Sequence, residues 1–106
     1  MNQTITRIAA ARYSELPLKA GYAVNIDHTE LALFKLTDGL VRAIENRSPN
    51  PRGGILSDGM VSGEYIFDAI YDWKISLVDG KVQAPDVGQV RTYPVQIEED
   101  IVYILK

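Results

Sequence analysis

The sequence predicts an all-β fold, and three observations carry that expectation. Asp-Gly recurs at Asp38-Gly39, Asp58-Gly59 and Asp79-Gly80, a dipeptide suited to the positive-φ positions of tight hairpin turns. Short runs of apolar and β-branched residues flank these turns. No stretch carries a helical period of apolar residues.

Along the chain, ITRIAA (residues 5–10) reads as a first strand, followed by an extended link through Pro17. GYAVNI, Gly21 to Ile26, reads as the next strand. His28, between Asp27 and Thr29, reads as a turn residue with no nucleophile or metal to serve. LALFKLTDGLVRAIE, Leu31 to Glu45, reads as a hairpin. A loop from Ser48 to Asp58 follows, then the strand GEYIFDA, Gly63 to Ala69, and a turn from Asp68 to Asp72.

WKISLVDGKVQA, Trp73 to Ala84, reads as a second hairpin. Its period of two puts Trp73, Ile75 and Leu77 on one face and Lys74 and Ser76 on the other, and Trp73 is expected in the core beneath the preceding turn. Pro85 to Gly88 reads as a turn. VRTYPVQIEEDIVYIL, Val90 to Leu105, reads as a third hairpin turning at Glu98 to Asp100, with Tyr93, Val95 and Ile97 inward. Pro94 lacks an N–H, so its strand is expected at a sheet edge or with a bulge. The acidic trio Glu98, Glu99 and Asp100 reads as a solvated hairpin tip. These strands are expected to form small stacked antiparallel sheets or a partly closed barrel, one domain over residues 1–106.

Composition removes whole classes of chemistry. The 106 residues contain no cysteine and one histidine. Disulfides, thiolate metal sites, cysteine nucleophiles and His–His metal pairs are therefore excluded. The net charge of −3, with eleven scattered Lys and Arg, argues against nucleic acid or an anionic membrane as partner. No apolar run approaches the ~20 residues of a membrane span. The first residues lack a charged start followed by an apolar stretch, so a cytoplasmic location is expected. The sequons at Asn2 and Asn46 are then chance matches.

Two loops break the hairpin pattern. In NRSPNPRGGILSDG, Asn46 to Gly59, Pro49 and Pro51 stiffen the chain while Gly53-Gly54 allows a close backbone approach. About twenty residues later comes FDAIYDWKI, Phe67 to Ile75. Together they resemble the paired metal loops of Rieske-type ferredoxin domains, in which a C-P-H loop and a C-x-x-H loop hold a [2Fe–2S] cluster through two Cys and two His. In that resemblance Ser48 and Asp68 stand at the cysteine positions, and Asn50 and Tyr71 at the histidine positions.

A narrower resemblance covers nearly the whole chain. Asp72-Trp73-Lys74-Ile75, GKVQAPDVG (Gly80 to Gly88) and VRTYPV (Val90 to Val95) in combination are similar to the small subunit of assimilatory NAD(P)H-dependent nitrite reductases. Some members of that family keep the cluster ligands and others have lost them. This chain resembles the second kind, which implies a Rieske-like domain without a cluster, because iron–sulfur clusters need soft sulfur ligands.

The resemblance implies a cytoplasmic, non-catalytic accessory subunit, with no catalytic, cofactor-binding or metal-ligating residues of its own. Its partner would be a large subunit carrying FAD, a [4Fe–4S] cluster and sirohaem, which reduces nitrite to ammonium. The vestigial cluster positions Ser48, Asn50, Asp68 and Tyr71 are expected to fill the vacated site by hydrogen-bonding one another, and to form the tip that docks on the partner. One alternative is a binding or regulatory module on a degenerate Rieske scaffold, associated for example with an oxygenase. Another is an independent enzyme using a hard metal held by Asp68 and Tyr71.

Overall fold

The computed structural model describes residues 6–106. The Asn2 sequon and the first residue of the expected opening strand lie outside the described residues. Among the described residues ten strands run in the order β1 (Arg7–Arg12), β2 (Gly21–Ile26), β3 (Thr29–Lys35), β4 (Val41–Glu45), β5 (Met60–Ser62), β6 (Tyr65–Phe67), β7 (Lys74–Ser76), β8 (Thr92–Tyr93), β9 (Val95–Glu98) and β10 (Ile101–Leu105). They form three antiparallel sheets, β1-β10-β9, β2-β3-β4-β8 and β5-β6-β7. The expected all-β fold of small sheets is thus present. Among the described residues no helix is long and apolar enough to cross a membrane.

The four-stranded sheet is the middle layer. Leu31 to Phe34 is a continuous apolar run because both faces of β3 are covered. Ala32, Phe34 and Ile44 pack with Val61, Ile66 and Ile75 of the β5-β6-β7 sheet. Leu31, Leu33, Val41 and Ala43 pack with Val102 and Ile104 of the β1-β10-β9 sheet. The period of two sends neighbouring residues to opposite cores.

The turns are set by backbone conformation. Asp27 and His28, with φ of 49° and 66°, form the two-residue link between the paired Ile26 and Thr29. His28 is thus the turn residue it was expected to be. Gly39 (φ 89°) and Gly80 (φ 77°) serve the expected Asp-Gly turns. At the second of these, the Lys81 amide donating to Asp79 holds the Asp79 carboxyl below its ordinary value. Asp58-Gly59 differs: Gly59 is extended at φ −79° and follows the short 3-10 turn Leu56–Asp58. The hairpin there turns instead at Gly63 (φ 58°), between the paired Ser62 and Tyr65.

Pro94 marks a change of sheet. Tyr93 pairs with Ala43 in the middle sheet, while Val95 pairs with Ile104 in the β1-β10-β9 sheet. Without an N–H to give to either ladder, Pro94 sits between the two edge strands β8 and β9. Tyr93 is buried and Val95 packs against the core, but Ile97 is exposed, because β9 is an edge strand. Trp73 also departs from expectation. It is only partly buried, and Ile75 and Leu77 alone carry that face into the core.

Candidate functional site

β4 of the middle sheet runs directly into the loop Asn46 to Gly59, and β6 of the neighbouring sheet runs into the turn Asp68 to Asp72. Packing of the two sheets brings these loops together at one end of the molecule. Asn46 closes the base of the first loop. Its amide nitrogen donates to Glu30 Oε1 (2.9 Å) and Ser57 Oγ (3.0 Å), and its oxygen accepts from Ser57 N (2.7 Å). This buried clamp was not visible in the sequence, where an Asn after a strand reads as loop punctuation. It also buries Asn46 in the folded chain.

Within the first loop Ser48 N donates to Gly54 O (2.9 Å), Gly53 N to Asn50 O (2.8 Å) and Arg52 N to Asn50 Oδ1 (3.0 Å). Pro49 and Pro51, which lack an N–H, flank these bonds. In the second loop Asp72 N donates to Asp68 O (3.1 Å), with Asp72 itself at φ 55°.

The loops meet through two buried side chains. Ser48, 4% exposed, and Asp68, 0% exposed, are joined by a hydrogen bond from Ser48 Oγ to Asp68 Oδ2 at 3.1 Å. Asn50 N donates to Ser48 Oγ at 3.2 Å. The other carboxylate oxygen, Asp68 Oδ1, accepts from Ile70 N (2.8 Å) and Tyr71 N (2.7 Å). Asp68 therefore has three donors without a cation: none of the ion pairs among the described residues includes it. Among the described residues the one buried side-chain polar atom without a partner is Arg42 Nε, on β4 and outside these loops. No buried side-chain polar atom of the described tip residues lacks a partner.

Gly53 explains the close approach foreseen for the glycine pair. A Cβ there would fall on Ser48 Oγ, within 2.5 Å of Ser48 Cβ and 2.9 Å of Asp68 Oδ2. The backbone itself forms a wall of the Ser48–Asp68 pocket. A third segment joins them: a Cβ on Gly88 would lie 3.2 Å from Pro49 Cβ, which places the turn after Pro85 against the first loop.

Of the four positions singled out by resemblance, the structure joins Ser48 and Asp68 directly. Asn50 contributes through its backbone, and its side chain serves its own loop. Tyr71 does not fill the pocket. Its amide binds Asp68 while its ring points outward, 46% exposed. Clefts lie beside the pair: one of about 410 Å³ is bordered by Met60, Phe67, Asp68 and Asp72, another of about 280 Å³ by Arg47, Ser48, Pro49 and Pro51.

This donor set does not fit an iron–sulfur cluster. A hydroxyl, an amide, a carboxylate and a phenol replace thiolate and imidazole, the chain has no cysteine, and its one histidine stands in the β2–β3 turn. The Asp68 oxygens are engaged by protein donors, and no group of three His, Cys, Asp or Glu that could hold a metal occurs among the described residues. A metal held by Asp68 and Tyr71 is also disfavoured, since Asp68 Oδ1 is taken by the Ile70 and Tyr71 amides while Tyr71 is 46% exposed.

Comparison with known proteins agrees with this geometry. A segment of the nitrite reductase [NAD(P)H] large subunit of Klebsiella oxytoca is 29% identical over 93 residues, 84% of this chain but only 10% of that protein. This chain therefore spans about a tenth of that relative's length. A candidate NADH-dependent nitrite reductase small subunit from Mycobacterium tuberculosis superposes with a TM-score of 0.88 at 25% identity, covering 98% of this chain and 97% of that one. The ferredoxin of carbazole 1,9a-dioxygenase from Nocardioides aromaticivorans shares the fold, with a TM-score of 0.82 at 22% identity over 93% of this chain and 96% of that one. Residues 7–105 match the Rieske-like [2Fe-2S] domain. With three antiparallel sheets and two facing loops, and with Ser48 and Asp68 meeting between them, the chain belongs to the Rieske-like domain family while lacking the cysteines that bind its cluster.

Proposed function

We propose that this chain, as one Rieske-like unit over residues 1–106, is a cluster-free accessory subunit of a cytoplasmic assimilatory nitrite reductase. It supports a large subunit that carries FAD, a [4Fe–4S] cluster and sirohaem and reduces nitrite to ammonium with NAD(P)H. It relays no electrons itself. Ser48, Asn50, Asp68 and Tyr71 stand at the positions of the lost cluster ligands, and the end of the molecule they mark meets the partner.

The observation that carries this reading is the Klebsiella oxytoca relative. There the segment that matches this chain is a tenth of a chain named as the large subunit, so in that protein the module and the reductase are covalently one. A module that is tethered in one protein has a ready partner in the rest of that protein. The likeness to the dioxygenase ferredoxin is one of fold, and fold alone does not assign function.

Co-expression decides between them. The chain is produced with the large subunit from the same source and, separately, with an oxygenase component. Stoichiometric co-purification with the reductase is expected. Retention by the oxygenase and not by the reductase would replace this reading with the oxygenase-associated module.

A further inference from the structure

We propose that Asp68 is the residue that builds an apolar docking face at this tip, holding it formed without metal, and that the face takes an uncharged apolar patch of the reductase's large subunit. The occupant rests on the function proposed above; the device that forms the face does not.

One carboxylate organises both loops. Oδ2 takes the Ser48 hydroxyl of the first, and Oδ1 takes the Ile70 and Tyr71 amides of the second. Because those two amides turn inward, their side chains turn outward. Ile70 is 59% exposed, and its Cδ1 lies 3.1 Å from where a Gly54 Cβ would sit, so it lies across the first loop next to the exposed Ile55. Val87, 82% exposed, comes from the third segment, whose Gly88 stands against Pro49.

Ile55, Ile70, Tyr71 and Val87 make up four of the nine large exposed apolar side chains among the described residues. Their concentration in three adjoining loops marks an interaction surface rather than the scatter of single exposed residues. The charges on the same loops that reach solvent, Arg47 and Arg52 against Asp58, Asp72 and Asp86, sum to only −1. The face therefore offers a partner apolar contact with little net charge to steer by, which points to an apolar patch and not to a strongly charged one. Ser48 and Asp68 are buried and act as positioning residues beneath the face.

The test uses the full chain and four variants: Asp68→Ala, Asp68→Asn, the double change Ile70→Ser with Val87→Ser, and Glu99→Ala. Glu99 lies in the β9–β10 turn, away from the tip, at the end where Tyr13 binds both Asp100 and Gly39. Hydrogen exchange of residues 68–72 is measured on each chain alone, with and without EDTA, and affinity for the large subunit is measured at low and high salt.

Asp68→Ala should speed exchange about ten- to a hundredfold, as expected for losing a buried acceptor, and weaken binding at least about tenfold. Asp68→Asn keeps an acceptor for both amides and should stay within about threefold of the parent on both measures. The double serine change should weaken binding by about tenfold or more with exchange unchanged, and Glu99→Ala should do neither. EDTA should leave exchange unaltered, and salt should barely change affinity.

Unchanged exchange in Asp68→Ala, or protection lost in EDTA, overturns the metal-free device. Parent-like binding by the double serine variant overturns the docking face. If the parent itself does not bind the large subunit, the accessory reading and the named occupant fall together, while the exchange measurement still decides the role of Asp68.

Discussion

Ser48 Oγ donates to the buried Asp68 carboxylate across 3.1 Å, although the two residues are 20 positions apart, on loops that follow strands of different sheets. Removing the acceptor leaves the Ser48 hydroxyl and the Ile70 and Tyr71 amides short of a partner. Asp68→Ala should therefore destabilise the chain by about 3 kcal/mol, and Asp68→Asn by about 1 kcal/mol. Urea unfolding of the three proteins measures both. Equal midpoints for Asp68→Ala and parent would show that the bond contributes nothing net.

Gly53 tests the closeness of the two loops in another way. It is not at positive φ, so an added methyl meets sterics alone, against Ser48 and Asp68. Gly53→Ala should cost about 2 kcal/mol by overpacking. Gly63→Ala meets no atom within 4 Å but sits at φ 58°, so it should cost about 1 kcal/mol from backbone strain. Thermal melts of the two variants rank them, and a milder Gly53→Ala would mean the loops part easily.

The β2–β3 turn offers a stabilising change. His28 holds φ 66° at the second position of a two-residue link, where glycine is at ease. His28→Gly should raise stability by about 0.5–1 kcal/mol. A fall in the unfolding midpoint would count against that reading of the turn.

How much of this was legible follows from where the physics is local. Hairpin turns at Asp38-Gly39 and Asp79-Gly80, and the edge position of Pro94, depend on φ preferences and a missing N–H, and both are written in single residues. Asp58-Gly59 misled because the same dipeptide also ends a 3-10 turn, and the true hairpin turn fell to Gly63. Trp73 was placed in the core by alternation, but β7 is three residues long and its first flank already lies at the surface.

At the tip, the resemblance singled out Ser48 and Asp68, which do meet. It could not show that the Tyr71 amide, and not its ring, binds Asp68, because a turn's handedness depends on φ values such as the 55° of Asp72. In the sequence Asn46 reads only as the start of the loop and a chance sequon, and its clamp goes unseen, since its side-chain bonds go to Glu30 and Ser57, distant in sequence.

Asn46 yields a further expectation. Asn46→Ala removes the bonds that close the loop base and should cost about 2 kcal/mol. Urea unfolding of the variant checks this, and a midpoint equal to the parent's would contradict the closed loop base.

The donor set predicts a colourless protein. After anaerobic expression with iron and sulfide supplied, the chain should contain no stoichiometric iron or acid-labile sulfide and no visible absorption band. A [2Fe–2S] spectrum would contradict the exclusion drawn from a chain without cysteine.

The central claim, that the chain assists a nitrite-reducing partner without chemistry of its own, meets its most direct test in a reconstituted assay. NAD(P)H-dependent nitrite reduction is followed for the chain alone, the large subunit alone, and the two together. The account predicts no activity from the chain alone, and a rise in the large subunit's rate or in its lifetime when the chain is added. Full activity and stability of the large subunit by itself, unchanged by the chain, would contradict it.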